Sequence, residues 1–172
     1  GCGQVQKELR DRESLFIRLA ENAQDMIYRM SLPEGIYEYV SPASIRITGY
    51  APEEFYSNSF LIRKLIHPDW ADYFKQEWGK LIQGSVVPFY EYKILHKSGE
   101  ERWMYQRNTL IKDAQGHPVA IEGIVTDITE RKLAEKALQT SEEHLRTVFE
   151  NAEEIIHIIA WDGIFLRLSP SW

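Results

Sequence analysis

The feature that most restricts this chain is a repeat that begins and does not finish. Glu21-Asn22-Ala23 returns 129 residues later as Glu150-Asn151-Ala152. Met26-Ile27-Tyr28 then aligns with Ile155-Ile156-His157. After the loss of one residue in the turn, Gly35-Ile36-Tyr37 meets Gly163-Ile164-Phe165, and Ser41-Pro42 meets Ser169-Pro170. One shared tripeptide is within reach of chance, but matched turns and a matched Ser-Pro in the same order are not. The chain is therefore expected to hold one complete domain and the opening strands of a second copy. Its 172 residues suffice for one domain with flanking helices. A chain that opens on Gly1 rather than methionine is also expected to be a piece of a longer one.

The repeat extends backwards. Val5, Leu9, Phe16, Leu19 and Ala23, interrupted at Arg12, correspond to Ala134, Leu138, Leu145, Val148 and Ala152, interrupted at Ser141. Steps of four and three alternate, the spacing of a coiled-coil seam. A simple amphipathic helix packed on its own domain would explain either row alone. The same phase before both copies favours a helix that also pairs with a second chain. Leu9, Phe16, Leu19, Leu138, Leu145 and Val148 are the candidate dimer seam, and a homodimer is the expected state.

Between the two helical stretches the periodicity changes. Asp25–Leu32 and Ile36–Val40 read as strands joined by a Pro/Gly turn. Short helical pieces follow from Ala43 to Asn58, one opening at Pro52 with acids beside it. A longer helix starts at Pro68 and stops before Gly84, with Trp70, Tyr73, Phe74, Trp78 and Leu81 on one face. Phe89–Leu95, Arg102–Lys112 and Val119–Thr126 read as three more strands with short turns. Glu91 and Lys93 mark a wet face, so Tyr90, Tyr92 and Ile94 point inward. By the same rule Ile121, Gly123 and Val125 face the core. The order strand-strand, helices, three strands, helix makes an α+β domain.

Composition removes several function classes. With 44% hydrophobic and 12% aromatic residues the chain can build a core. A net charge of −6 without a basic run argues against nucleic acid and anionic membrane as partners. No apolar run approaches the length of a membrane span, and no signal peptide is visible. A single cysteine, Cys2, suits a reducing compartment, so the expected location is cytoplasmic. There is no nucleophile–base pair, metal-spaced cluster or Gly-rich phosphate loop, and the chain is not read as an enzyme.

Four patches resemble one known family in the right order: Tyr39-Val40-Ser41-Pro42-Ala43-Ser44 with Thr48-Gly49-Tyr50; Ile66-His67-Pro68-Asp69; Lys97-Ser98-Gly99-Glu100-Glu101-Arg102-Trp103; and Gly123 through Lys132, which contains Asp127-Ile128-Thr129. These resemble PAS domains with their C-terminal motif. The resemblance implies a five-stranded antiparallel sheet of order 2-1-5-4-3 with helices on one face and a small internal pocket. It also implies a regulatory role in a multidomain sensor such as a histidine kinase or a cyclic-dinucleotide enzyme. The expected division is a linker helix over 1–22, the PAS domain over 23–130, an output linker helix over 131–151 and a truncated second repeat over 152–172.

The candidate pocket lining is Phe74, Trp78, Tyr90, Tyr92, Ile94, Ile121, Gly123 and Val125. Asp127 and Thr129 are the candidate signal relay, because an acceptor side chain at a helix start holds free backbone N–H groups. The simplest reading of the aromatic stripe is core, and of Asp127 a plain cap. His67 fits a structural place at a helix start, and no metal site is expected. The long helix lacks the axial histidine usual in heme-binding relatives, and the chain lacks the cysteine of photoactive LOV members. No cofactor is predicted; an unidentified small molecule in the pocket stays open. Two functions compete at this point: a sensor that relays ligand or dimer state through the C-terminal helix to a kinase or cyclase-type output domain, and a ligand-free dimerisation scaffold.

Overall fold

The structure is a computed structural model that describes residues 2–161, with side chains over 3–152. Its elements are α1 (Cys2–Glu21), β1 (Met26–Ser31), β2 (Tyr37–Val40), α2 (Ala43–Thr48), α3 (Pro52–Ser57), α4 (Leu61–Leu65), α5 (Ala71–Ile82), β3 (Phe89–Leu95), β4 (Glu101–Lys112), β5 (Pro118–Asp127) and α6 (Thr129–Trp161). Residues 1–129 form one compact unit, and the chain from residue 130 onward forms another.

The five strands make one sheet in the order β2-β1-β5-β4-β3, the order the resemblance implied. Every neighbouring pair is antiparallel. The chain reaches the middle of the sheet late, so β5 is closed in between β1 and β4 only after the helices have been laid down. Turn chemistry sets the hairpins. Gly35, Gly99 and Gly116 all take positive φ at the turns entered after β1, β3 and β4. At the last of these, Asp113 Oδ1 accepts from the N–H groups of Gln115 and His117, each at 2.9 Å, and these bonds hold the Asp113 carboxyl low.

The helices between β2 and β3 cover one face. Ser41 ends the first hairpin: its Oγ accepts from Ile27 N–H at 2.9 Å, and α2 follows at once. Gly49, at φ 83°, closes α2 in the left-handed region. Glu54 accepts from Ala51 N–H at 2.8 Å at the start of α3. The long helix expected from Pro68 opens as a 3₁₀ turn over Pro68–Trp70 and becomes α-helical at Ala71. His67 caps that turn, with Nδ1 accepting from Asp69 N–H at 3.2 Å, and its Nε2 lies 3.2 Å from Glu101. The core, including Ile47, Phe55, Leu65, Tyr92, Ile94 and Met104, lies between these helices and the sheet.

One expectation is overturned. The repeat predicts a strand from Ile155, but α6 continues to Trp161, ten residues past the expected end of the linker at 151. A strand draws its hydrogen bonds from a neighbour, whereas a helix satisfies its backbone within itself. Residues 155–161 take the self-sufficient form. The remainder of the second copy, from residue 162, lies outside the described residues. Among the described residues no helix is long and apolar enough to cross a membrane.

Candidate functional site

Strand β4 builds the site. Its alternation places Met104, Gln106 and Asn108 in the interior, and all three are buried. Asn108 stands opposite Gly123 on β5, and Gly123 stands opposite Tyr28 on β1. A Cβ at Gly123 would lie 2.2 Å from Tyr28 Cε1. The missing side chain therefore lets the Tyr28 ring lie over β5 and reach across to β4. There its hydroxyl donates to Asn108 Oδ1 at 3.2 Å and accepts from Gln106 Nε2 at 2.8 Å. Tyr92 donates to Gln106 Oε1 at 2.6 Å. Gln106 Nε2 also faces Tyr90 Oη at 3.0 Å and Asn108 Oδ1 at 2.8 Å. A primary amide has two hydrogens, and here three acceptors compete for them.

This neutral cluster floors a cavity of about 760 Å³ between the sheet and the helices. That volume falls in the range of small-molecule sites. Of the residues the sequence nominates, Phe74, Trp78, Tyr90, Tyr92, Ile94, Ile121 and Val125 stand on its wall. Gly123 does not: it faces the core, but the Tyr28 ring covers it. The walls are aromatic on two sides. Tyr37 packs edge-on to Tyr28 and Phe55 at 5.8 and 5.3 Å, and Phe74 packs edge-on to Tyr92 and Tyr90 at 4.7 and 5.2 Å. Burial raises the hydroxyls of Tyr28, Tyr37 and Tyr92 well above the ordinary phenol value. Tyr90 is pushed up to about 12, mainly by burial and against the hydrogen bonds of Asn108 and Gln106.

A second polar group lies at the end of β5. Asp127 Oδ1 accepts from the Thr129 N–H at 2.9 Å and from its hydroxyl at 2.6 Å. Thr129 Oγ1 in turn accepts from Trp103 N–H on β4 at 3.0 Å, and Ile128 N–H donates to Trp103 O at 2.8 Å. Arg102 Nη1 is 3.7 Å from Asp127 Oδ2 and donates to Arg46 O at 2.7 Å, while Nη2 pairs with Glu100 at 2.9 Å. Asp127 and Thr129 thus brace the first residue of α6 against β4. The arrangement can hold or release a helix start; it holds no nucleophile with a base.

The seam candidates are placed differently. Leu9, Phe16 and Leu19 on α1, and Leu138, Leu145 and Val148 on α6, are each between 49 and 64% exposed. Among the described residues no group of three or more His, Cys, Asp or Glu side chains could hold a metal. Reasoning from sequence missed Gln106, Asn108, Tyr28, Tyr37 and Arg102. The signal for the first two was present: Met104 and Leu110 share their parity on β4, so two amides had to share the interior face.

A family model described as PAS fold matches residues 37–125. The methyl sulfide methyltransferase-associated sensor of Methanosarcina acetivorans is 33% identical over 105 residues, 60% of this chain and 10% of that protein. The two-component sensor PprA of Pseudomonas aeruginosa is 26% identical over 141 residues, 80% of this chain and 15% of that protein. The chain therefore spans only a small part of these curated relatives. The crystal structure of a sensory box histidine kinase/response regulator from Burkholderia thailandensis superposes with a TM-score of 0.60 at 27% identity. It covers 77% of this chain and 98% of that one.

Proposed function

The chain belongs to the PAS fold family and is a sensory signal-transduction module, and from that premise we propose that it reads the occupancy of the 760 Å³ cavity and passes it to α6 through the Asp127–Thr129 joint. The observation that carries this reading is the layout of β4. Gln106 forms the cavity floor, Met104 is fully buried beside it, and Trp103, the next residue, donates to Thr129. An occupant that shifts Gln106 moves a strand whose backbone holds the start of α6. Coupling of this kind needs a packed element that both sites bias, and β4 is that element.

The wider setting follows from the same premise. The module is regulatory and leaves catalysis to a kinase or cyclase-type output domain in a longer, cytoplasmic protein. The exposed stripes of α1 and α6 pair with those of a second copy, making a homodimer whose helices carry the signal onward. The divisions at residues 22 and 130 mark linker, sensor and output helix, and the likeness of the chain after 152 to the first copy marks the approach to a second PAS unit.

The stripes also support a second reading, a scaffold that dimerises without using the cavity. The two are separated in the longer protein. Asp127→Ala should shift output away from its normal response while the domain stays folded. Deleting one residue between Lys132 and Leu138 rotates the downstream helix by about 100°, and deleting seven nearly restores the seam. The relay predicts that the first deletion disrupts output and the second largely spares it. Output indifferent to both deletions, at unchanged protein levels, would make the helix a tether and favour the scaffold.

A further inference from the structure

The cavity's polar groups are not balanced. The two hydrogens of the Gln106 amide cannot serve Tyr28, Tyr90 and Asn108 together. Tyr90 Oη is met by the Gln106 amide at 3.0 Å, with its oxygen as the acceptor, and no hydrogen bond donated by Tyr90 is seen among the described residues. Tyr37 lines the same cavity, is only 7% exposed, and its hydroxyl has no hydrogen-bond partner among the described residues. Two hydroxyls that donate no hydrogen bond among the described residues therefore border a space walled by aromatic edges, and an occupant that brings an acceptor can bond to them.

The charges sit elsewhere. Of the charged side chains around the cavity, Glu34, Arg63 and Lys75 are exposed, and Glu77 pairs with Lys80 at 2.7 Å. Among the described residues no buried cation at the cavity awaits a carboxylate or phosphate, and an anion drawn down to the tyrosines would lose its hydration uncompensated. Burial already raises both the Tyr37 and Tyr90 hydroxyls, which keeps them protonated as donors at neutral pH.

We propose that the cavity takes an uncharged aromatic compound bearing hydrogen-bond acceptors, of the aryl ketone or quinone kind, with its carbonyl oxygen held by the hydroxyls of Tyr37 and Tyr90 and its ring between the Phe74 and Phe55 walls. This rests on the cavity being the sensing site. Three probes of one shape separate the possibilities: 2-acetylnaphthalene, 2-ethylnaphthalene and 2-naphthoate, titrated into the 172-residue chain and followed by Trp fluorescence and NMR shifts of residues around the cavity. The ketone should bind saturably and about fivefold or more tighter than the ethyl compound, the worth of one net hydrogen bond, and naphthoate weakest. Tyr37→Phe and Tyr90→Phe should each weaken the ketone about fivefold and leave the ethyl compound unchanged. If the ethyl compound matches the ketone, or naphthoate binds tightest, the acceptor class is wrong while the cavity reading stands. If none of the three binds, both fail. The three-probe comparison uses the unaltered chain, so it decides even if a variant does not fold.

Discussion

The two polar clusters on β4 differ in kind. One, made of Gln106, Asn108, Tyr28, Tyr90 and Tyr92, is neutral and lies in the interior. The other, made of Arg102, Glu100, Asp127 and Thr129, is largely charged and partly open to water. Breaking a buried hydrogen bond strands its partner and costs about 1–3 kcal/mol, whereas a solvent-screened ion pair is worth about 0–1 kcal/mol. The interior cluster is therefore stiff and the joint is easily opened. A sensor needs this order: a rigid reader that the occupant must push against, and a soft connection that yields.

The interior cluster is most sensitive at Gly123. Gly123→Ala places a Cβ 2.2 Å from the Tyr28 ring. Tyr28 must swing away and give up both of its bonds, so overpacking and stranded partners add. A loss of about 3–5 kcal/mol is expected in urea unfolding; a loss below about 1 kcal/mol would show that the ring has room to move.

Gln106→Leu comes next. It removes the amide that meets four neighbours, Tyr28, Tyr90, Asn108 and Tyr92, and leaves the Tyr92 hydroxyl without its acceptor. About 2–3 kcal/mol of stability should go. Asp127→Ala should cost less, about 0.5–2 kcal/mol, through the lost cap, and raise exchange at Thr129 N–H while the sheet amides stay protected. Should Asp127→Ala destabilise more than Gln106→Leu, the stiff and soft assignments are reversed.

The last effect is on pH. The Tyr90 hydroxyl is pushed up to about 12 in the folded chain by burial, against about 10 when unfolded. Between those values the unfolded state has released the proton and the folded state has not. This contribution to stability is intact below pH ~10 and is lost as pH rises toward the folded value. Tyrosinate absorbance at alkaline pH should appear together with unfolding, not ahead of it, for the tyrosines of the cluster. In Gln106→Leu one hydrogen bond opposing the rise is gone, so Tyr90 should titrate higher still if it remains buried.

Much of this was legible in the chain, for physical reasons that differ by region. Period-two alternation marked Tyr90, Tyr92, Ile94, Ile121 and Val125 as interior, because a strand's faces are fixed once one is wet. Gly and Pro located the turns, and the resemblance supplied the strand order. The pairing of Gly123 with Tyr28 was hidden, since it depends on register between strands far apart in sequence. Arg102 reads as the first residue of a strand, and only the fold brings it to Asp127 and Arg46. The strand expected at 155–161 is a helix, because a short apolar run fits either form and the likeness to the first copy does not decide between them.

The proposed relay couples the cavity to the joint through β4. Hydrogen exchange at Trp103, Ile128 and Thr129 N–H, measured with and without saturating 2-acetylnaphthalene, tests it most directly, with the Gln115 and His117 N–H groups of the β4–β5 turn as the internal control. Coupling predicts a several-fold change in exchange at the three joint amides and none at the turn. Unchanged exchange at the joint, with the compound demonstrably bound, would contradict it.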